Sequence, residues 1–199
     1  MKKHWFKKPK KIISLLQFIK TGNFGGAVLG MTDEEVKASL GMPEDVHYGD
    51  EAILFRYGWW EIHFMRTNGN KAFLIYNDHL LYDCTNHDEL IEFENKELKL
   101  ELDFLKPKQH YRFGQALSYL DNQEIDYQLV DREFQPMVQL DNHVYMDFTD
   151  TEPSIPRGTQ FAWGPGRGQD LQQGEKRLEN TEDWILYNIG AYQPPPIRT

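Results

Sequence analysis

The densest group of side chains able to bind a metal lies between residues 78 and 88. It contains two histidines, one cysteine and three aspartates: His79, Cys84, His87, Asp78, Asp83 and Asp88. Protein zinc sites usually have four ligands, supplied as closely spaced pairs. Only three nitrogen or sulfur donors occur here, with no second pair beside them. We therefore predict that the chain binds no metal and no other cofactor. A metal-dependent enzyme that uses this segment stays an open alternative.

A second group, Glu61 and His63, alternates with apolar residues within the stretch 60–64. If this stretch is a strand, the two side chains share one face. They could exchange a proton there, or belong to a solvated or partner-binding surface. The sequence has no Gly-x-Ser-x-Gly, no His-Glu-x-x-His and no phosphate- or dinucleotide-binding motif. We interpret the pair, together with Trp59, as candidate partner-binding residues of a non-enzymatic protein.

The elements that would carry these residues are antiparallel strands. In residues 52–57 and 60–64 every second side chain is apolar, the pattern of a strand with one buried face. Gly58 marks the turn between them. Asn68 and Gly69 mark a second turn, which leads into a third apolar run at residues 71–76.

A short helix is predicted before these strands, with both of its ends marked. Thr32 and Glu35 have the spacing of a capping box, in which the two side chains bond the first free backbone N–H groups. Gly41 and Pro43 are typical of a helix end. A helix of about nine residues is marginal alone, so Val36 and Leu40 must pack on the strands.

The same order recurs in the second half of the chain. A strand with strict alternation occupies residues 96–105, a helix is predicted from Pro107, and short strands follow at 126–130, 137–140 and 143–148. Residues 52–65 can be laid over residues 136–149 without a gap. We predict an α+β fold, with short helices packed on antiparallel β-meanders and two degenerate repeats at 30–80 and 107–149. The alternative to a duplication is that the two segments acquired the same hairpin pattern independently.

The two ends of the chain differ from this core, which we place at residues 23–149. Residues 1–22 contain a predicted basic amphipathic helix at 9–21, with Ile12, Leu15, Leu16 and Ile19 on one face. That helix could dock on the core or contact a membrane surface or nucleic acid through residues 1–20. Residues 150–199 form a Pro/Gly-rich tail. Its stretch 181–192 is apolar enough to dock on the core.

Charge is distributed unevenly along the sequence. The formal net charge is −9, yet residues 1–20 contain seven lysines and no acid. The remaining 179 residues therefore hold 15 basic and 31 acidic side chains, a net charge of −16. Such a field disfavours nucleic acid and attracts a basic partner. The single cysteine excludes an internal disulfide framework and favours a cytoplasmic protein.

Residues 30–43 read Gly-Met-Thr-Asp-Glu-Glu-Val-Lys-Ala-Ser-Leu-Gly-Met-Pro. This segment resembles the Gly-Met-Thr-x-x-x-Val-x-x-x-Leu-Gly-x-Pro signature of small bacterial outer-membrane assembly lipoproteins. With Tyr57, Gly58, Glu61 and Phe64 after it, the segment is more similar still to soluble bacterial proteins of the immunity type. The resemblance implies a non-enzymatic protein-binding module. The chain has no lipobox cysteine, and the resemblance supplies no site residues.

Two further functions stand as hypotheses beside the metal-dependent enzyme. The first is a cytoplasmic immunity protein that binds and neutralises a cognate, basic toxin, with Trp59 as an aromatic anchor. The second is an envelope-associated scaffold held at the membrane surface by the basic N-terminal helix.

Overall fold

The computed structural model describes residues 10–80, 92–106, 109–132, 135–152 and 176–194. The elements of the first part are β1 (Lys11–Ser14), α1 (Leu15–Thr21), α2 (Asp33–Leu40), β2 (Asp45–Tyr48), β3 (Ala52–Tyr57), β4 (Trp60–Met65), a 3-10 turn (Arg66–Asn68), β5 (Lys71–Asn77) and β6 (Leu98–Glu101). Those of the second part are α3 (Phe113–Asn122), β7 (Tyr127–Arg132), β8 (Gln135–Leu140), β9 (Val144–Thr149), β10 (Thr151–Glu152), β11 (Lys176–Arg177), a 3-10 turn (Thr181–Asp183) and β12 (Ile185–Tyr192).

One antiparallel sheet of eight strands dominates the described chain. Its spatial order is β2-β3-β4-β5-β12-β9-β8-β7. Two small ribbons accompany it, a parallel pair β1–β6 and an antiparallel pair β10–β11. The three α-helices and this sheet confirm the predicted α+β fold, with short helices on antiparallel meanders.

Helix α2 has the ends that its sequence predicts. The Thr32 hydroxyl accepts a hydrogen bond from the Glu35 backbone N–H, and the Glu35 carboxylate accepts one from the Thr32 backbone N–H. After Leu40 the chain leaves the helix at Gly41, which has a φ of 84°. Val36 and Leu40 are buried, so the packing of one apolar face holds a helix that would be marginal alone.

Two substitutions in α2 separate the contribution of the cap from that of packing. We expect Thr32→Ala to lower the free energy of unfolding by about 1 kcal/mol, because one capping bond is lost. Leu40→Ala should lower it by about 2–5 kcal/mol, because it leaves a cavity in the core. Urea unfolding measures both values. A near-neutral Leu40→Ala would show that α2 does not pack as described.

The predicted start of the N-terminal helix, at residue 9, is wrong. The helix begins at Leu15, and the residues before it form β1, which pairs in parallel with β6. The reason is Ser14, whose hydroxyl accepts a hydrogen bond from Gln17 N–H and so caps the helix there. As a result Ile12 lies on a strand and is 46 % exposed, while Leu15 and Ile19 are buried.

The tail contributes more than a segment docked on the core. Its last strand, β12, lies in the middle of the sheet and pairs with β5 on one side and β9 on the other. Residues 181–192 were predicted to dock on the core, and residues 185–192 are a central strand of its sheet. The second helix-and-strands unit likewise does not end at 149, because it takes its fourth strand from the end of the chain.

The two halves of the sheet have equivalent hydrogen bonds. The Ala72 N–H donates to Met31 O at 2.8 Å, and the Leu186 N–H donates to Tyr111 O at 2.8 Å. The residue before each of these helices donates its N–H to a side chain three positions on, Thr32 to Glu35 and Arg112 to Gln115. Each half is thus a capped helix followed by a four-stranded meander, α2 with β2–β5 and α3 with β7, β8, β9 and β12.

The last strands of the two halves also share an irregularity. Opposite β4, strand β5 has an extra residue at Phe73. Opposite β9, strand β12 has one at Tyr187. Where β5 and β12 meet, Tyr76 pairs with Gly190. A pseudo-two-fold axis through this pair relates the two halves.

The gapless overlay of the two hairpins holds for one strand only. Residues 60–65 fall on 144–149, the bounds of β4 and β9. The first hairpin turns between Tyr57 and Trp60, whereas the second has three residues between Leu140 and Val144. Because of this additional turn residue, β8 is shifted by one position relative to β3 in the gapless overlay. The buried Leu140 therefore corresponds to the buried Tyr57.

The three helices lie on the same face of the sheet. Phe18 of α1 meets the Trp60 ring edge-on, with centroids 5.3 Å apart, and Phe24 stacks on Trp60 at 4.5 Å. Phe113 of α3 meets Phe148 of β9 at 5.1 Å. Because adjacent side chains of a strand alternate between faces, the residues between these core positions point to the opposite side.

Candidate functional site

The face of the sheet opposite the helices is the candidate functional surface, and we call it the open face. None of the three described helices lies on it. Its side chains are mostly half-buried, and the central ones are Leu54, Arg56, Glu61, His63, Met65, Phe73, Leu74, Tyr76, Tyr145, Asp147 and Asn188. At one end of the face Leu178 packs with Ile185 and Tyr187, so described residues cover that end.

Glu61 is the centre of a hydrogen-bonded group on this face. Its Oε2 lies 3.0 Å from Nε2 of His63 and accepts a hydrogen bond from the Tyr76 hydroxyl at 2.8 Å. The His63 ring also lies 5.4 Å from the Tyr76 ring and 6.1 Å from that of Phe73. Strand alternation places Glu61 and His63 on one face, and the pairing of β4 with β5 brings Tyr76 directly opposite Glu61.

This geometry keeps Glu61 ionised. The hydrogen bond with His63 lowers the pKa of the Glu61 carboxyl, and the Tyr76 hydroxyl lowers it further, while burial acts in the opposite direction. Burial, with the adjacent carboxylate, raises the pKa of the Tyr76 hydroxyl, which therefore stays protonated as a donor. Glu61 therefore keeps its negative charge at neutral pH. No described nucleophile bonds to His63, so we assign it no reaction.

The lowered pKa of Glu61 predicts a pH-dependent contribution to stability. A carboxyl whose pKa is lower in the folded chain stabilises it above its unfolded pKa, about 4.3, and loses this effect as the pH falls through the folded value. We expect Glu61→Gln to be less stable than the wild type at pH 7, and the difference to shrink by pH 3. Urea unfolding at both pH values measures it. A difference that is constant with pH would show that the ionised carboxylate contributes nothing.

Trp59 lies at the rim of the open face, in the turn between β3 and β4. It is half-buried and outside the hydrophobic core. Its ring contacts His79 edge-on at 4.7 Å, and the Arg56 guanidinium lies 5.6 Å from it. The structure thus places Glu61 and His63 on one face, as the alternation predicts, and Trp59 at the rim of the same surface. Whether they bind a partner stays a prediction.

A shallow depression of about 330 Å³ beside Trp59 does not add a reactive site. It is lined by Glu44, Arg56, Gly58, Trp59, Glu92, Phe93 and Glu94. Its acids are largely engaged: Glu44 accepts hydrogen bonds from Gly58 N–H and Asn95, and Glu94 pairs with Lys10. Arg56 lies 3.2 Å from Asp45.

The part of the open face that comes from the second half of the chain was not predicted from the sequence. Tyr145 corresponds to Glu61, and Asp147 corresponds to His63, in the equivalence of β4 with β9. Asp147 is 9 % exposed and accepts a hydrogen bond from the Asn188 amide at 3.0 Å. The overlay of the two hairpins could have indicated these positions, but not that β12 lies between the halves.

The predicted absence of a metal stays untested for Cys84 and His87, which lie outside the described residues. His79 is described, and its ring faces Trp59 and lies 3.4 Å from Asp78 Oδ1. Within the described ranges no three His, Cys, Asp or Glu side chains are grouped to hold a metal ion. Of the helices in that part of the chain, none combines the length and hydrophobicity needed to cross a bilayer.

Comparison with known proteins adds no assignment: no family model, curated protein or solved structure matches the chain.

Proposed function

We propose that the chain is a protein-binding module, and specifically an immunity protein that neutralises a cognate toxin by covering part of its surface. The observation that carries this proposal is the open face, a half-buried aromatic and acidic surface without a described helix over it. The sequence resemblance to immunity-type proteins, carried by residues 30–43 together with Tyr57, Gly58, Glu61 and Phe64, supports the same class.

The composition of the open face suits binding. Protein interfaces concentrate their binding energy in a few aromatic residues near the centre, and here Tyr76, Phe73 and His63 lie together with Trp59 at the rim. The chain beyond residue 20 has a net charge of −16, which would attract a basic toxin over a distance. In this proposal the mechanism is steric, so it needs no reactive group.

The alternative, an envelope scaffold anchored by its basic N-terminal segment, has less support. A membrane anchor would present the apolar side of α1 to lipid. Instead Leu15, Phe18 and Ile19 are buried in the protein core. We therefore favour the immunity function and cytoplasmic location, with any membrane contact restricted to residues 1–14.

Electrostatic attraction makes a kinetic prediction. If a protein encoded by a neighbouring gene is the toxin, co-expression of this chain should restore growth. The association rate of the purified pair should then fall steeply as salt rises, because the Debye length is only about 10 Å at 0.1 M. Stopped-flow or surface-based kinetics at several salt concentrations measure this rate. Binding that does not respond to salt would exclude the electrostatic part, and absence of both rescue and binding would exclude the immunity function.

A further inference from the structure

Strand β7 forms one outer edge of the main sheet. It is the last strand in the sheet order, and within the described ranges no strand pairs with its outer side. It has six residues, Tyr127–Arg132, and it pairs with β8 in an uninterrupted register. A regular edge of this length, without a bulge, presents free N–H and C=O groups. These groups are available to a further strand.

Leu129 makes this edge apolar as well. It lies opposite Val138 of β8, which is fully buried, so both side chains are on the helix face of the sheet. Leu129 is nevertheless 57 % exposed, because it lies on the outermost strand. A strand added beside β7 would remove this side chain from water, which the hydrophobic effect favours.

The equivalent edge in the first half of the chain, strand β2, is less suited to pairing. It has only four residues, Asp45–Tyr48. Exposed acids lie in it and beside it, at Glu44, Asp45 and Asp50. Short length and charge are the features by which edge strands avoid other strands. In contrast, residues 127–130 of β7 read Tyr-Gln-Leu-Val and contain no charged side chain.

A second copy of β7 fits this edge in the antiparallel orientation. In an antiparallel ladder, two directly opposite residues either exchange both backbone hydrogen bonds or exchange none, and these states alternate along the strand. Two identical strands meet this condition only if one residue lies opposite itself on a two-fold axis. With Leu129 on the axis, positions 127–131 are paired. The two leucine side chains are then direct cross-strand neighbours, which lie close enough to be in contact.

The same register places opposite charges side by side. Position 126 of one copy lies opposite position 132 of the other, and the sequence has Asp126 and Arg132 there. The symmetry makes this juxtaposition occur twice, and cross-strand pairs of opposite charge are favourable. Moving the axis to either neighbouring residue removes both this juxtaposition and the leucine contact. Charge and apolar surface thus select one register of a second copy.

We propose that two copies of the chain form a symmetric dimer through β7, with Leu129 on the two-fold axis. The two eight-stranded sheets then join into one continuous sheet. The axis is perpendicular to the sheet, so the helices of both copies lie on one side and both open faces lie on the other. The inference does not rest on the proposed function, because three strands separate β7 from β5.

Sedimentation velocity of the full chain measures the association. We expect a species of twice the 23.5 kDa mass of one chain, in concentration-dependent equilibrium with the monomer. Leu129→Lys should weaken the dimer by about a hundredfold or more, because two apolar contacts are lost and two positive charges meet on the axis. The matched control is Tyr48→Lys, which replaces an exposed aromatic residue of β2 and should leave the dimer unchanged.

Amide spectra check that both variants are folded, since both replaced side chains are exposed. A full chain that is monomeric even at millimolar concentration would overturn the inference. The same holds for a dimer that folded Leu129→Lys does not weaken, or that folded Tyr48→Lys weakens as much.

Oxidative crosslinking tests the register. In a Cys84→Ser background, Leu129→Cys should give a disulfide-linked dimer, because directly opposite Cα atoms are about 4.5–5.5 Å apart, within the range of a disulfide. Gln128→Cys is the matched control. Position 128 lies opposite Val130 of the other copy, so two cysteines at 128 are too far apart to bond. Absence of crosslinking through residue 129, or equal crosslinking through residue 128, would overturn the proposed dimer.

Discussion

A chain that ends at Trp184 should fail to fold cooperatively. The truncation removes β12, which pairs with β5 and with β9, and so it exposes two strand edges in the middle of the sheet. It also removes Leu186 and Ile189 from the core. Each such side chain contributes about 1.5–3 kcal/mol when buried. Together with the lost strand pairing, this approaches the total stability of an ordinary domain, about 5–15 kcal/mol.

Urea unfolding and amide NMR dispersion measure this loss. The matched control is a chain that ends at Pro194. It keeps all of β12, and it also keeps the hydrogen bond from Gln193 N–H to Phe73 O. We expect that control to unfold in the same cooperative transition as the full chain. A well-dispersed spectrum from the chain ending at Trp184 would show that the two halves do not need the shared strand.

The sequence predicts elements whose signals are local. The ends of α2 are marked by Thr32, Glu35 and Gly41, and their hydrogen bonds appear as predicted. Strands β3, β4 and β6 follow strict alternation, so their buried and exposed faces could be assigned. These signals depend only on residues a few positions apart.

Strand β12 could not be recognised in the same way. The extra residue at Tyr187 interrupts its alternation, so that Ile185 and Leu186 are both buried and Tyr187 and Asn188 are both half-buried. Its partners, β5 and β9, are distant in sequence. No local sequence pattern indicates that a C-terminal strand lies in the centre of the sheet. The start of the N-terminal helix was predicted wrongly because Ile12 and Leu15 fit helical spacing, although Ser14 lies between them and caps a helix that begins only at Leu15.

The candidate site likewise contains residues that local patterns predict and residues that they do not predict. Glu61, His63 and Trp59 lie within five positions, and strand alternation was enough to place Glu61 and His63 on one face. Tyr145 and Asn188 join them only through strand order, which pairs residues far apart in the chain. The pseudo-two-fold relation explains why both halves present side chains at the same place.

The open face is the proposed partner-binding surface, and a pair of arginine substitutions tests this proposal most directly. Leu74→Arg places a large positive side chain on the open face, opposite His63. Ser118→Arg adds the same charge to the exposed side of α3, on the helix face of the sheet. Both variants should remain folded, because neither position belongs to the buried core.

For each variant we measure the growth of cells that also express the protein encoded by the neighbouring gene, and the binding of the purified variant to that protein. Amide spectra check that each variant is folded. We predict that Leu74→Arg abolishes growth rescue and binding, since the added side chain blocks the surface and repels a basic partner. Ser118→Arg should protect like the wild type. Full protection by folded Leu74→Arg, or loss of protection by folded Ser118→Arg, would contradict the assignment of the open face as the binding surface.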